Sequence, residues 1–265
     1  MAEQPNQEAK GEALRGLHSG EPFVIPNPWD AGSAKILAAE GFKALATTSS
    51  GFAFTLGRRD GGATLDEVCE NVRQIDGATP LPVSTDLENG HGSSPEDAAE
   101  AIRRVAEAGA VGGSIEDFDP EDGLYESGFA AERIAAAAEA TRALGFPFTL
   151  TGRAENFLRG NPDLDDTIAR LQAYADAGAD VLFAPGLRSI DHIEAICSAV
   201  TKPVNVLARA GGPPISEIFG AGAQRISVGG SLAWVAYGAA KEAAAGLAAG
   251  DIDAVNPHFG AGDVL

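Results

Sequence analysis

Basic residues are scarce in this sequence. Its 265 residues include 19 lysines and arginines against 38 aspartates and glutamates, which gives a formal net charge of −19 at pH 7. A nucleic-acid-binding protein needs a basic surface to contact phosphates, and no stretch of the chain supplies one. The composition argues against nucleic acid as a partner. It is compatible with a small anionic substrate, because a bound cation and one or two arginines invert the local field.

Cysteines and long apolar runs are also nearly missing. Cys69 and Cys197 lie in helical patterns without the spacing of metal ligands, which favours reduced thiols in a cytoplasmic protein. No segment approaches the roughly 18 apolar residues of a membrane span, and the start of the chain has no apolar signal core. We therefore predict a cytoplasmic protein that has no membrane partner.

One unit recurs along the chain: a helical pattern ends at a glycine, and a short apolar strand follows. Gly41, Gly109, Gly178 and Gly222 each fit the left-handed position that ends a helix. The alternation predicts βαβ units and a parallel sheet. Eight strands are predicted, near Phe23–Pro26, Ala44–Thr48, Pro82–Asp86, Gly113–Glu116, Pro147–Thr151, Val181–Ala184, Pro203–Val206 and Arg225–Val228.

Eight strands in a chain of this length favour a closed (β/α)8 TIM barrel, for which roughly 250 residues are typical. Helices are predicted between the strands, for example over 94–108 and 163–177. An open doubly wound sheet is the alternative, disfavoured because no G-x-G-x-x-G follows the first strand. We predict one catalytic barrel domain over residues 21–250, a flexible N-terminal tail at 1–20 and a C-terminal tail at 251–265.

Polar residues gather where the predicted strands end, which is where barrel enzymes carry their active sites. Asp86 and Glu88 are two residues apart and so share one face of an extended segment. Because close carboxylates repel each other, a hard divalent cation is a simple way to keep both ionised. Further polar residues follow other strands: Thr47, Thr48, Ser49, Ser50, Asp60, Glu116, Asp117, Arg153, Glu155, Asn156 and Asn205.

Taken singly, each of these residues has a simpler explanation. A lone carboxylate at a strand end is more often a solvated loop residue or a helix cap, and Asp117 and Glu155 could pair with arginines. Convergence favours a site, because one acidic set comes from three consecutive strands and suits Mg²⁺, or Mn²⁺. Some of its contacts are expected to pass through water. The set is Asp60, Asp86, Glu88 and Glu116.

Four motifs, in order, resemble the isocitrate lyase/phosphoenolpyruvate mutase superfamily, and the similarity runs from about Asn27 to Ala236, which is most of the chain. The resemblance implies Asp86, Glu88 and Glu116 as the metal site, Asp86 making the main contact and Glu88 replacing the usual second Asp. The motifs are LGRRDGG (Leu56–Gly62), VSTDLENGHG (Val83–Gly92), SIED (Ser114–Asp117) and TGRAENFLRG (Thr151–Gly160).

The resemblance also implies roles for other residues. Asp60 would lie beside metal and substrate and act in catalysis with Glu116 and Arg153, and Arg153 would bind the substrate carboxylate or the leaving group. Thr48, Ser49 and Asn205 complete the predicted substrate site.

Family members commonly form tetramers in which the eighth helix packs on a neighbouring barrel. The alanine-rich segment 231–249, with Trp234 and Tyr237, suits such swapping in a homodimer or homotetramer. Ordinary packing on its own barrel is the alternative.

The chain departs from the family at three places. The loop Asp117–Gly128 lacks the K-K-C-G-H motif, whose cysteine is the general acid of isocitrate and methylisocitrate lyases. The K-x-N-S gating loop of the mutases is missing, and so is the histidine that mutases carry after strand 6. A thiol-dependent lyase and a phosphomutase are therefore disfavoured, although Pro120, Asp122 and Gly123 still predict a mobile lid.

The retained residues predict a Mg²⁺-dependent lyase or decarboxylase that cleaves a C–C bond of a small 2-oxo (di)carboxylate, such as oxaloacetate, through a metal-stabilised enolate. Candidate proton donors are a water on the metal, Tyr125 and His91, although a loop histidine is more often structural. One alternative is an enzyme that makes or breaks a P–C bond, such as a phosphoenolpyruvate mutase, a carboxyphosphonoenolpyruvate mutase or a phosphonopyruvate hydrolase. Another is a non-catalytic ligand-binding barrel. No role is predicted for His18, His192 or His258.

Overall fold

Residues 5–256, the part that the computed structural model describes, contain ten strands: β1 (Phe23–Val24), β2 (Leu45–Ala46), β3 (Val83–Asp86), β4 (Gly112–Glu116), β5 (Phe118–Asp119), β6 (Gly123–Leu124), β7 (Thr149–Arg153), β8 (Val181–Phe183), β9 (Val204–Leu207) and β10 (Arg225–Ser227). Eight of them form one sheet in the order β1-β10-β9-β8-β7-β4-β3-β2, and every pairing is parallel. The ends of this sheet meet where the Ala46 amide donates to the Pro26 carbonyl at 3.0 Å. The predicted (β/α)8 barrel is confirmed, and the alternative of an open sheet is wrong.

The helices lie between the strands, where the sequence pattern predicts them. The predicted glycine stops all have positive φ angles, from 83° at Gly41 to 113° at Gly109. Ser94 and Asp163 cap α5 and α7 by accepting from the amides three residues ahead. The ten helices of the described residues are α1 (Gln7–Leu17), α2 (Ala31–Ala39), α3 (Ser49–Thr55), α4 (Leu65–Ala78), α5 (Pro95–Glu107), α6 (Ser127–Arg142), α7 (Leu164–Ala177), α8 (Ile190–Ala199), α9 (Ile215–Gly220) and α10 (Ser231–Ala248).

The expectation of a flexible tail over residues 1–20 is wrong for α1, which packs on the N-terminal end of the barrel. Leu14 is fully buried there, in a cluster with Ile25 and Val111. Lys10 Nζ lies 2.6 Å from Asp76 Oδ1, and α1 approaches β7 so closely that a Cβ on Gly11 would lie 2.2 Å from the Pro147 carbonyl oxygen. The sequence gives little sign of this packing, because α1 carries few apolar residues and its contacts lie far away in the chain.

The predicted C-terminal tail at 251–265 lies partly outside the described residues. Its described part includes a short 3₁₀ helix, Ile252–Val255, beside the end of α10. No helix within 5–256 has both the length and the apolar character that crossing a membrane would need.

The barrel interior beneath the C-terminal mouth is unusually polar. Barrels normally fill this space with branched apolar side chains. Here a cavity extends into it, and the inner walls carry small or polar residues from six strands and the loop that follows β1: Asn27, Ala46, Ser84, Ser114, Arg153, Asn205, Arg225 and Ser227.

Candidate active site

Arg153, at the C-terminal end of β7, lies at the centre of the barrel mouth. Its Nη1 lies 3.5 Å from Asp86 Oδ1 and 3.1 Å from Glu116 Oε2, and its Nε donates to Glu155 Oε1 at 2.5 Å. These groups meet because β3, β4 and β7 are neighbouring parallel strands, with Glu116 in register with Arg153. The sequence-predicted residues Asp86, Glu116 and Arg153 therefore share one site.

A second cation, Arg159, is absent from the predicted set. Its Nη2 lies 3.2 Å from Glu116 Oε1, its Nε donates to Glu155 Oε2 at 2.8 Å, and its guanidinium lies 3.8 Å from the centre of the Phe118 ring. Two arginines thus neutralise two buried carboxylates, which confirms that Glu155 pairs with arginines. The sequence signal for Arg159 is a four-residue spacing from Glu155, which many ordinary ion pairs share.

Asp60 and Glu88 complete the acidic side of the mouth. Asp60 follows α3 and is hydrogen-bonded to the Ser49 side chain, while the Ser49 amide donates to Asp86 Oδ2 at 3.2 Å. The backbone at Glu88 is left-handed, with a φ of 51°, and its amide donates to Asp86 Oδ1 at 3.2 Å. Asp60 and Glu88 line one cavity together with Arg153.

Glu88 is a carboxylate of this group whose negative charge is poorly compensated by its neighbours. Burial, followed by the negative charges of Asp86 and Asp60, raises the pKa of Glu88 to about 8. Burial likewise raises the pKa of Asp60. Within residues 5–256 no ion pair of Glu88 is formed, although Arg153 lies in the same cavity. Such a donor set fits a divalent cation, whose charge would supply the missing partner.

The described part of the chain contains no group of three acidic, histidine or cysteine side chains close enough to form a complete metal cage. Mg²⁺ usually takes one or two protein carboxylates and keeps several waters, so the residues fit a cation held mainly through Asp86 and Glu88. Glu116, the third predicted ligand, is bridged instead by Arg153 and Arg159. The set of direct ligands stays a prediction.

Two adjoining cavities open at the mouth and share Ser49, Asp60 and Arg153. The central cavity, of ≈ 140 Å³, extends into the barrel. The outer cavity, of ≈ 180 Å³, is lined by Phe118 and Pro120 of the β5–β6 hairpin, so the segment predicted to form a lid borders this cavity, and its role as a lid stays a prediction. All three predicted substrate-binding hydroxyl and amide residues line the central cavity: Thr48, Ser49 and Asn205.

The two candidate proton donors of the protein lie outside both cavities. Tyr125 Oη donates to Asp119 Oδ2 at 3.1 Å and accepts from Asn89 Nδ2 at 3.3 Å, and its side chain is buried. His91 has a φ of 58°, and its buried Nε2 has no hydrogen-bond partner among the described residues. Neither residue lines the central or the outer cavity.

Arg133, on α6, is a further residue that the sequence does not reveal. Its guanidinium donates to the backbone carbonyls of Asn89, Gly92 and Ser94, and so holds the loop that follows Asp86. The guanidinium is buried and its partners are main-chain atoms about forty positions away. The contact therefore cannot be predicted from a pattern of side chains in the sequence.

Known proteins resemble this chain over most of its length. A sequence model of the family described as phosphoenolpyruvate phosphomutase matches residues 14–248. A crystal structure from Burkholderia cenocepacia J2315, provisionally assigned as a lyase or mutase, is 49% identical, covers 97% of this chain and 95% of its own, and superposes with a TM-score of 0.94.

Two relatives with more definite names are more distant. Oxaloacetate decarboxylase of Bradyrhizobium sp. is 30% identical over 235 residues, which are 83% of this chain and 77% of the relative. The structure of oxaloacetate acetylhydrolase in complex with its product oxalate is 27% identical, covers 90% of this chain and 87% of its own, and has a TM-score of 0.83.

Proposed function

Because the chain belongs to the phosphoenolpyruvate phosphomutase family, within a superfamily of carbon–carbon lyases and mutases, we propose that it cleaves a C–C bond of a small 2-oxo dicarboxylate. The proposed reaction is divalent-metal-dependent, and oxaloacetate is the first substrate to consider: its decarboxylation consumes one proton and yields pyruvate and CO₂. The observation that carries the proposal is the meeting of Asp86, Glu116 and Arg153 beside the Ser49 amide at the mouth of one small cavity.

In this proposal the residues at the mouth have separate roles in metal binding and charge stabilisation. Asp86 and Glu88 would hold a divalent cation, which when bound supplies Lewis-acid polarisation of the carboxylate and carbonyl oxygens of a 2-oxo acid. Arg153 places a fixed positive charge where negative charge develops on the substrate as the bond β to the carbonyl breaks. Glu116 and Glu155 keep that guanidinium in place through contacts of 3.1 and 2.5 Å.

The cavities and the thiols narrow the choice of substrate. A central cavity of ≈ 140 Å³ suits an acid of a few carbon atoms, and its polar walls suit an anion. Neither Cys69 nor Cys197 lines the central or the outer cavity, and burial raises the pKa of both thiols. Chemistry that depends on a cysteine acid is therefore not proposed.

The similarity to oxaloacetate decarboxylase, and to oxaloacetate acetylhydrolase with bound oxalate, supports a 2-oxo dicarboxylate as the substrate class. The match to the phosphoenolpyruvate phosphomutase family favours one second candidate, an enzyme that makes or breaks a P–C bond.

A substrate panel distinguishes the two candidates. We expect the purified full chain, with Mg²⁺ or Mn²⁺, to release pyruvate and CO₂ from oxaloacetate faster than the metal alone, and to lose this activity when the metal is chelated. Phosphate or phosphoenolpyruvate formed from phosphonopyruvate would instead establish the P–C enzyme. If no compound of the panel is turned over by the folded protein, the proposed function is wrong.

We also propose that the chain forms a homo-oligomer through α10. Of the 18 residues of α10, Ala233 alone is buried, and Trp234, Val235 and Leu247 are about half exposed or more. Phe54 extends this apolar face and packs edge-to-face on Trp234, with the ring centres 5.1 Å apart. A second copy of the chain is the expected occupant, because exposed apolar patches of this kind commonly mark protein interfaces.

We expect light scattering to give at least twice the monomer mass for the wild type, and a smaller mass for Val235→Glu. The matched control is Glu217→Gln on α9, which leaves the α10 face unchanged and should leave the mass unchanged. A monomeric wild type would exclude the interface.

A further inference from the structure

Arg225, on β10, is a buried cation that has no role in the site described above. Its side chain is 5% exposed and extends inside the barrel. No ion pair of Arg225 occurs among residues 5–256, whereas Arg153, Arg159 and Arg170 each contact at least two carboxylates. A buried charge without a counter-ion is costly, so its retention needs an explanation.

Neutral groups hold the Arg225 guanidinium in place. Nε donates to Asn205 Oδ1 at 2.8 Å, and Nη2 donates to Thr151 Oγ1 at 3.2 Å. Nη1 lies 3.1 Å from His18 Nε2, while His18 Nδ1 lies 2.8 Å from the Leu14 carbonyl oxygen. His18 must therefore carry its proton on Nδ1 and accept from Arg225 with Nε2. These contacts satisfy hydrogen bonds but leave the positive charge uncompensated.

The contacts of Arg225 lead directly into the central cavity. Because Asn205 Oδ1 accepts from Arg225, its Nδ2 is the atom that donates to Ser227 Oγ, at 3.0 Å. Ser227 then has its own hydroxyl proton free to donate to a ligand. All three residues line the central cavity. We call Arg225, Asn205 and Ser227 the basic wall.

The basic wall lies across the barrel from the acidic side of the mouth. In the closed order of eight strands, β9 is four positions away from β3, and β10 is four positions away from β4. The central cavity thus has carboxylates and Arg153 on one side, and an uncompensated guanidinium with a hydroxyl donor on the other. This arrangement suits a small ligand that carries a second anionic group.

We propose that the basic wall is a subsite for an anionic end of the substrate, and that Arg225 is its positioning residue. The guanidinium fixes the Asn205 amide, and the amide orients the Ser227 hydroxyl. That hydroxyl then donates a hydrogen bond to a substrate carboxylate. The uncompensated charge of Arg225 is then balanced when the dianion binds. This inference rests on the proposed function, since it specifies which end of a 2-oxo dicarboxylate the inner cavity takes.

A purely structural role of Arg225 predicts a different result. A carboxylate in place of the Asn205 amide would then leave ligand binding unchanged. Asn205→Asp therefore separates the two roles: it keeps the volume and the contact with Nε, but it cancels the charge of the basic wall. Arg225→Gln is less informative, because it disrupts three hydrogen bonds, two of them buried, and could simply unfold the chain.

The test is the dissociation constant for 3,3-difluorooxaloacetate, a 2-oxo dicarboxylate that carries the second anionic end, measured by calorimetry on the full chain with Mg²⁺. We expect its binding to weaken at least tenfold in both Asn205→Asp and Ser227→Ala, the latter being the scale of one hydrogen bond to a charged group. Arg142→Gln removes an exposed cation at the opposite end of the barrel, and its affinity for the dicarboxylate should stay within twofold of the wild type. Thermal unfolding of Asn205→Asp should occur no lower than in the wild type.

With a substrate that is turned over, Ser227→Ala should raise KM and leave kcat nearly unchanged. The hydrogen bond from Ser227 is expected to be equally strong in the bound substrate and in the transition state. Wild-type affinity for 3,3-difluorooxaloacetate in both Asn205→Asp and Ser227→Ala would overturn the inference while leaving the proposed function intact. If the variants differ as expected but no substrate is turned over, the proposed function fails and the subsite stands. A wild type that does not bind this dicarboxylate would refute the subsite as well.

Discussion

Replacement of Asp86 by asparagine is expected to lower turnover roughly 10³-fold, the scale on which a single electrostatic contact to the reacting centre acts. Asp86 is the point where the two sides of the mouth meet: Oδ2 accepts from the Ser49 amide, and Oδ1 lies 3.5 Å from Arg153 Nη1. Asparagine retains the size of the side chain but loses the charge that would attract a divalent cation. The Asp86 amide still donates to Thr47 Oγ1, so the local fold should persist.

The measurement is the initial rate of product formation at saturating metal, with thermal unfolding of the same samples. Asp176→Asn is the matched control, since Asp176 is an exposed aspartate on α7, outside both cavities. We expect its rate to stay within twofold of the wild type. A fully active Asp86→Asn variant would remove Asp86 from the mechanism.

The second large effect concerns stability: Asp117→Asn is expected to reduce the free energy of unfolding by about 3–5 kcal/mol, as for other broken buried ion pairs. Asp117 is 2% exposed. Its Oδ2 accepts from Arg170 Nη1 at 3.0 Å and from Tyr174 Oη at 2.6 Å, and its Oδ1 accepts from the Glu155 amide at 2.8 Å. The pair with Arg170 confirms the expectation that Asp117 binds an arginine, and the carboxylate joins β4 to the end of β7 and to α7.

Denaturant unfolding checks this expectation, and Asp166→Asn is its control. Asp166 contacts the same arginine, at 2.8 Å, but is 37% exposed, so its loss should cost less than about 1 kcal/mol. Equal losses of unfolding free energy in the two variants would show that burial does not determine how much Asp117 contributes to stability.

The sequence reveals those parts of the fold that repeat. Four of the eight strands follow a helix that ends at a glycine such as Gly109 or Gly178, where the backbone has positive φ, and the others continue the same alternation of helix and apolar strand. The convergence of Asp86, Glu116 and Arg153 follows from the same fact, because parallel strands in a barrel bring their C-terminal ends to one mouth.

What the sequence does not reveal depends on contacts between residues that are far apart in the chain. Arg225 occupies an ordinary strand position, and its isolation from carboxylates appears only when His18, 207 residues away, is placed against it. Arg159 contacts Glu116, which lies 43 residues earlier in the chain, and Arg133 contacts main-chain atoms about forty positions away. In each case the missing information is the identity of the neighbours that surround a charge.

The central claim is that Asp86 and Glu88 bind a divalent cation that in turn helps to bind a small dianion. Calorimetric titration of the wild type with Mn²⁺, with and without oxalate, tests it most directly. We expect one Mn²⁺ per chain, tighter binding when oxalate is present, and at least a tenfold loss of affinity in Asp86→Asn. A wild type that takes up no metal, or an Asp86→Asn variant that binds Mn²⁺ as tightly as the wild type, would contradict the account.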